Sequence, residues 1–218
     1  MGTKALYATV QQALGGVRGI IFDCDGVLID SYDANTWYYN HFRQRIGLGP
    51  MDKEQEQFVH MANVYESLRH VLPEEHHEES FEYRKSFDYR LVLPHFEREK
   101  GVLRVLRIFE EMDLPLAINT NRADTLDLVL EHVGMVGVFS PRVTTLDVKN
   151  PKPDPEGVNI ILKEWNMKPE EVAYIGDSKT DELTAKAAGV HFWAYADAKL
   201  DADFHISSFT ALLDELTV

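Results

Sequence analysis

The sequence predicts an α/β fold: a doubly wound parallel sheet with an α-helical bundle inserted after its first strand. Three observations carry that expectation. From about Phe96 onward, short apolar runs alternate with stretches of helical periodicity, the pattern of a parallel sheet covered on both faces. Between Tyr32 and about Pro94 the periodicity is helical and no convincing strand occurs. Ahead of both, the apolar run Val17 to Phe22 stops at Asp23 and Asp25, with Gly26 directly behind. A buried parallel strand ending in polar groups reads this way.

Taken in order, Thr3 to Leu14 reads as a short helix with a weak apolar stripe of Ala5, Leu6 and Val10, broken by Gly15 and Gly16. The first strand spans Val17 to Asp23. Side chains alternate along a strand, so Asp23 and Asp25 point one way and Cys24 the other. In the insert, Gly47, Gly49 and Pro50 make a break. Phe58, Met61, Tyr65 and Leu68 then recur at the spacing of one amphipathic helix. An acidic run, Glu74 to Glu79, leads into Phe81, Tyr83, Phe87 and Leu91, giving three or four helices in all. Beyond the insert, Val102, Val105, Leu106 and Phe109 mark a helix, and Pro115 to Asn119 a strand that ends in Thr120-Asn121-Arg122. Leu126, Val129, Leu130 and Val133 mark the next helix, closed by Gly134, before a short strand near Arg142 to Thr144. The loop Lys149 to Pro155 precedes a helix with Val158, Ile161, Leu162 and Trp165. Val172 to Ile175 is a strand that ends in Gly176-Asp177-Ser178. A helix with Leu183, Ala187 and Ala188, strands at Val190 to Ala194 and Phe204 to Ile206, and a helix from Phe209 to Leu216 complete the chain. The expected division is a core of 1–31 with 95–218, and an insert of 32–94.

The 218 residues are 44% hydrophobic and 27% charged, ordinary for a globular chain. A formal net charge of -14 argues against nucleic acid as a partner, because no concentrated basic face is visible. The one cysteine, Cys24, excludes an intrachain disulfide. Residues 1–16 lack the continuous apolar core of a secretory signal. No stretch reaches the roughly 20 apolar residues that span a membrane. A cytoplasmic monomer or homodimer is the expectation.

In open α/β sheets, functional groups collect outside the carboxyl ends of the strands. That rule brings Asp23, Asp25, Thr120, Asn121, Lys152, Asp177 and Asp181 to one edge. Four carboxylates against one lysine call for a divalent cation, and an all-oxygen donor set favours magnesium over zinc. Thr120 and Asn121 suit phosphoryl oxygens, and Lys152 suits the charge that develops on a phosphoryl group. One aspartate can attack phosphorus, and the other can protonate the leaving oxygen and then take a proton from water.

Asp23-Cys24-Asp25-Gly26-Val27-Leu28, Thr120 after its strand, Lys152-Pro153 and Gly176-Asp177-Ser178-Lys179-Thr180-Asp181 resemble, in order and spacing, the four motifs of the haloacid dehalogenase-like superfamily. The helical insert resembles the small cap of the phosphoglycolate phosphatase and beta-phosphoglucomutase branch. The resemblance implies a Rossmann-like core and a magnesium-dependent phosphatase of a small phosphorylated metabolite. It implies Asp23 as nucleophile and metal ligand, and Asp25 as general acid/base whose backbone carbonyl also ligates metal. It implies Asp177 as the remaining protein ligand, Thr120 and Lys152 on the phosphoryl group, and Asp181 in a supporting position. Asp25 itself favours phosphoester chemistry over dehalogenation, because an alkoxide leaving group needs a proton donor. Two alternatives stand beside this reading. A phosphomutase would use the same aspartates, but its relatives carry a histidine in the first cap helix where this chain has Asn35. A non-catalytic phosphometabolite-binding protein would have no need of the full set of Asp23, Asp25, Lys152 and Asp177.

Plainer readings apply elsewhere. Cys24 is expected to be a buried, inert thiol. His76 and His77 are expected on a solvated acidic helix start, and His41, His60 and His70 show no ligand spacing. Trp37, Tyr38, Tyr39 and Phe42 are expected to pack within the insert. Asp30 is expected to cap the helix that follows it. Arg43, Arg45, Arg69, Arg84 and Lys85 remain candidates for gripping a substrate anion.

Overall fold

The computed structural model describes residues 15–217. The helix expected over Thr3 to Leu14 lies outside them. The chain divides into two compact units, one made of the segment up to Ile29 with Arg98–Val218, the other of Asp30–Glu97.

The first unit is built on a six-stranded parallel sheet. Its strands are β1 (Gly19–Phe22), β4 (Leu116–Asn119), β5 (Arg142–Val143), β6 (Val172–Gly176), β7 (His191–Tyr195) and β8 (Phe204–Ile206). The two remaining strands, β2 (Ile29–Asp30) and β3 (Glu97–Arg98), form a separate two-stranded pair where the chain leaves and re-enters this unit. Neither was legible as a strand, because two residues carry no periodicity. The sheet order is β5-β4-β1-β6-β7-β8. After β1 the chain builds outward through β4 and β5, then returns to lay β6 on the opposite side of β1. The strand order therefore reverses around β1, and a crevice opens at such a switch point beyond the strand ends.

The three central strands form because they are almost wholly apolar, as burial on both faces requires. Gly19 to Phe22, Leu116 to Asn119 and Val172 to Gly176 are buried throughout. Register is tight: Ile21 lies between Ala117 of β4 and Tyr174 of β6. Helices α5 (Val102–Glu111), α6 (Leu126–His132), α7 (Glu156–Trp165), α8 (Lys179–Ala188) and α9 (Phe209–Thr217) accompany the sheet. On α7, Val158, Ile161 and Leu162 join Ile21, Ala117, Val143 and Tyr174 in one core cluster. On α8 the buried residues are Asp181, Glu182, Thr184 and Ala185, while Leu183 is exposed. The expected apolar stripe through Leu183 is therefore displaced, since this helix turns its polar first turn inward.

The second unit holds α1 (Tyr32–Arg45), α2 (Lys53–Met61), α3 (Val64–Val71) and α4 (His77–Ser86), with short 3-10 turns at Glu74–His76, Tyr89–Leu91 and Leu93–His95. The one helix expected through Phe58, Met61, Tyr65 and Leu68 is in fact two. Asn63 interrupts it, accepting hydrogen bonds from the backbone of Tyr65 and Glu66 as the cap of α3. A side chain that satisfies two orphan N–H groups starts a new helix despite continuous periodicity. Asp30 takes the backbone N–H of Tyr32 at 2.9 Å, one position outside the N-cap, where Ser31 makes no side-chain cap.

Tyr38 packs against Phe42 and Phe87, and Phe42 against Tyr83, so the aromatic run is core within this unit. Arg43 donates to the carbonyls of Gly49 and Val71, and Arg45 lies over the Tyr83 ring. These two cations thus have structural employment. Lys85 pairs with Glu82, while Arg69 and Arg84 lie over Phe81 and Tyr65. His77 bonds the Leu72 carbonyl, and Glu74, Glu75, Glu78 and Glu79 face water. Among the described residues, no helix is long and apolar enough to cross a membrane.

Ile21 is fully buried at the centre of the sheet. Ile21→Ala is expected to cost about 3 kcal/mol of unfolding free energy, read from urea melts of the two proteins. A loss below about 1 kcal/mol would mean that the core around β1 collapses freely onto the gap.

Candidate active site

The site is assembled where β1, β4 and β6 end. Asp23 follows β1 directly, and its backbone N–H bonds the Ile175 carbonyl of β6. The chain then turns back on itself: Leu28 and Ile29 both donate to the Cys24 carbonyl, and Gly26 takes a positive φ of 78°. That turn follows Asp25 and carries the chain back toward Ile29. Cys24 is fully buried, and burial followed by the neighbouring Asp25 charge pushes its thiol pKa up. Its burial agrees with the plainer reading.

Lys152 is the central cation. Its ammonium donates to Asp181 at 2.7 Å and to Tyr174 at 3.2 Å, and it pairs with Asp23 at 2.8 Å. All of these groups are buried. Burial pushes the lysine pKa down, but the charges of Asp181 and Asp23 outweigh it and hold the group well above its ordinary value. The Lys152 main chain is clamped as well. Asn121 accepts from its N–H at 3.0 Å and donates to its carbonyl at 3.2 Å. One N–H and the oxygen of the Asn121 amide are thus engaged by the Lys152 main chain, so this side chain fixes the lysine's loop.

Asp181 sits in the first turn of α8. Its second oxygen is taken by Ser178, which forms a capping box with it. Gly176 makes the approach possible, because a Cβ there would overlap the Asp181 side chain. Asp177 lies between these two positions. Carboxylate atoms of Asp23, Asp177 and Asp181 fall within 4.8 Å of one another. A Cβ on Gly26 would overlap the Asp177 carboxylate, so the turn after Asp25 packs directly on it.

Crowding shows in the titration of the acids. Burial first, then the charges of Asp181 and Asp25 against the pull of Lys152, raise the Asp23 pKa to about 7. Burial, then the charges of Asp23 and Asp181, raise that of Asp177 to about 8. A divalent cation between two such carboxylates would favour their charged forms. The donor set fits a hard divalent ion: three carboxylates and oxygen ligands only. Asp181, engaged at both oxygens, is the least available of the three.

Asp25 has a different environment. Arg122 grips both of its oxygens, Nε to Oδ2 at 3.1 Å and Nη2 to Oδ1. The guanidinium also donates to Thr125 at 3.0 Å. Thr120 is buried at the end of β4 and accepts from the Arg122 backbone N–H at 3.1 Å. Arg122 was not among the residues singled out from the sequence, nor was Tyr174. Four carboxylates therefore face two cations, Lys152 and Arg122. The signal for Arg122 lay in its place directly after Thr120-Asn121; Tyr174 looked like one more apolar strand residue.

Comparison with known proteins agrees with this geometry. The family model described as haloacid dehalogenase-like hydrolase matches residues 20–195. The chain belongs to the haloacid dehalogenase-like hydrolases. A phosphoglycolate phosphatase from Chromobacterium violaceum is 29% identical, over 91% of this chain and 96% of its own. Pyrophosphatase PpaX from Bacillus velezensis is 29% identical, over 79% of this chain and 80% of its own. Among solved structures, a hydrolase of the superfamily from Geobacter sulfurreducens, subfamily IA, variant 1, is 30% identical with a TM-score of 0.81, covering 91% of this chain and 98% of that one. A beta-phosphoglucomutase from Clostridium difficile shares the fold at 17% identity, with a TM-score of 0.73 and coverage of 92% and 97%. Within this hydrolase, the ordered motifs of the sequence and the convergent strand ends of the structure coincide.

The raised acids make a prediction for pH. Once pH passes 3.8, the unfolded chain releases protons that Asp23 and Asp177 keep in the folded, metal-free protein up to about 7 and 8. Where the native state binds more protons, stability falls as pH rises. The Tm of chelator-treated protein is therefore expected to drop between about pH 5 and pH 8, and magnesium to lift it more at the upper end. A metal-free Tm that climbs over that window would refute the crowding.

Proposed function

We propose that this hydrolase is a magnesium-dependent phosphatase of a small phosphorylated metabolite, working in the cytoplasm through a phosphoryl group carried on Asp23. The observation that carries the reading is the contrast between the two acids after β1. Asp23 lies at 2.8 Å from the Lys152 ammonium and close to Asp177, while Asp25 is held apart by Arg122. Two carboxylates in different surroundings suit two different tasks.

Asp23 attacks the phosphorus of the ester. A bond forms from its carboxylate oxygen to phosphorus as the ester P–O bond breaks, and Asp25 gives its proton to the departing oxygen. Water then attacks the same phosphorus, Asp25 takes the proton back, and the bond to Asp23 breaks to release phosphate. Both Asp25 oxygens are held by Arg122, so proton transfer requires one of those contacts to loosen. Lys152 offsets negative charge on Asp23 and on the phosphoryl oxygens. Thr120 offers its hydroxyl to the same oxygens. Magnesium, held by the Asp23 and Asp177 carboxylates and the Asp25 carbonyl, would supply further positive charge against the phosphoryl oxygens. Residues 32–94 would act as a cap that selects substrate and excludes water. The named relatives act as phosphatases or a pyrophosphatase, which places phosphoglycolate and pyrophosphate on the first substrate panel. The mutase neighbour shares the fold alone.

With magnesium, the wild-type chain is expected to release inorganic phosphate from at least one small phosphomonoester, and chelation to stop it. Asp23→Asn is expected to lower kcat at least about a thousandfold, as for a group that forms the covalent bond. Equal turnover by wild type and variant would remove Asp23 from the reaction. Interconversion of sugar phosphates without free phosphate would point to a mutase instead.

A further inference from the structure

We propose that Tyr174 is a positioning residue, whose buried hydroxyl sets the Lys152 ammonium between Asp23 and Asp181. Tyr174 lies on β6 with no exposed surface. Its hydroxyl stands within hydrogen-bond distance of three groups: the Asn119 carbonyl at 2.9 Å, Asp181 Oδ1 at 3.1 Å and Lys152 Nζ at 3.2 Å. A phenol has one proton to give and lone pairs to receive with. Donation to the Asn119 carbonyl or to Asp181 leaves the oxygen as acceptor for the lysine. An ammonium has three N–H bonds, and Asp23, Asp181 and the Tyr174 oxygen account for three acceptors.

The consequence is directional. With two carboxylates alone, the ammonium has freedom to rotate and to slide toward either. The third acceptor, tied to the end of β4 through Asn119, removes that freedom. The main-chain clamp by Asn121 fixes the other end of the same residue. Lys152 is thus held at its backbone by the segment after β4 and at its tip by β6. Such support of a charged group lowers the reorganisation needed when charge develops beside it. A phenylalanine at 174 would fill the same space, so the hydroxyl is there for its bonds and not for packing.

Tyr174→Phe removes one oxygen and keeps the ring. Its kcat is expected to fall about tenfold with KM changed less than about twofold, as for loss of one hydrogen bond to a charged group. This kinetic arm rests on the phosphatase reading. A second arm does not: the Lys152 ammonium resonance in a nitrogen-15 spectrum, assigned by its disappearance in Lys152→Met. In wild type that signal is expected to be resolved and protected from exchange; in Tyr174→Phe it is expected to broaden or shift while the backbone amide spectrum is retained. Should the amide spectrum show that Tyr174→Phe has not folded, the Tyr174 ring resonances decide, and they are expected to move in Lys152→Met. An ammonium signal and kcat both unchanged in the folded variant, or Tyr174 resonances indifferent to Lys152→Met, would overturn the proposal. Absence of any phosphomonoester turnover by wild type would overturn the phosphatase reading and leave the spectroscopic arm standing.

Discussion

The buried ammonium of Lys152 is what allows Asp23 and Asp181 to occupy neighbouring space at the end of the sheet. Neither side of that arrangement stands without the other. A lysine buried among apolar groups would give up its proton, and two buried carboxylates in contact would keep one between them. Paired, the lysine is held charged by the two acids, and each of the three brings its own segment of chain. Asp23 comes from β1, Asp181 from the first turn of α8, and Lys152 from the loop between β5 and α7. The hydroxyl of Tyr174 and the amide of Asn121 tie β6 and β4 to the same point. The electrostatic centre and the mechanical centre of this unit therefore coincide.

Around that centre, backbone shape decides how near the acids come. Asp177 is not satisfied by Lys152, and its pKa stands raised to about 8. Gly26 and Gly176 are the positions where a side chain would collide with Asp177 and Asp181. The positive φ of Gly26 also makes the turn that follows Asp25. Asp25 meets Arg122, whose bidentate grip matches carboxylate geometry in a way a lysine would not.

The helical unit follows a different logic. Its aromatic residues satisfy one another, and Arg43 spends its guanidinium on main-chain carbonyls that terminate neighbouring segments. The cations that looked free in the sequence are to this extent part of the unit's own stability. Charge in this unit works through packing on aromatic faces, at Tyr83, Phe81 and Tyr65. That division, chemistry in the sheet unit and shape in the helical one, has its origin in the two kinds of periodicity along the chain.

The sequence by itself determined the order of the sheet unit's six parallel strands and the identity of Asp23, Lys152, Asp177 and Asp181 as one cluster. The reason is physical: apolar runs show where parallel strands end, and strand ends share one edge of the sheet. It also announced the inert Cys24 and the solvated run from Glu74 to Glu79, since both follow from local alternation and local charge. It did not show that Asn63 splits a helix of unbroken periodicity, because a two-bond cap outweighs the pattern. Nor did it show that Asn121 faces the Lys152 backbone, that Arg122 holds Asp25, or that Tyr174 reaches the ammonium. Those contacts join residues from β1, β4, β6 and a loop, and they exist only because the sheet order sets β4 and β6 on either side of β1. Hydrogen-bond partners are chosen by proximity and angle at close range, which chain order does not encode and the packed sheet does.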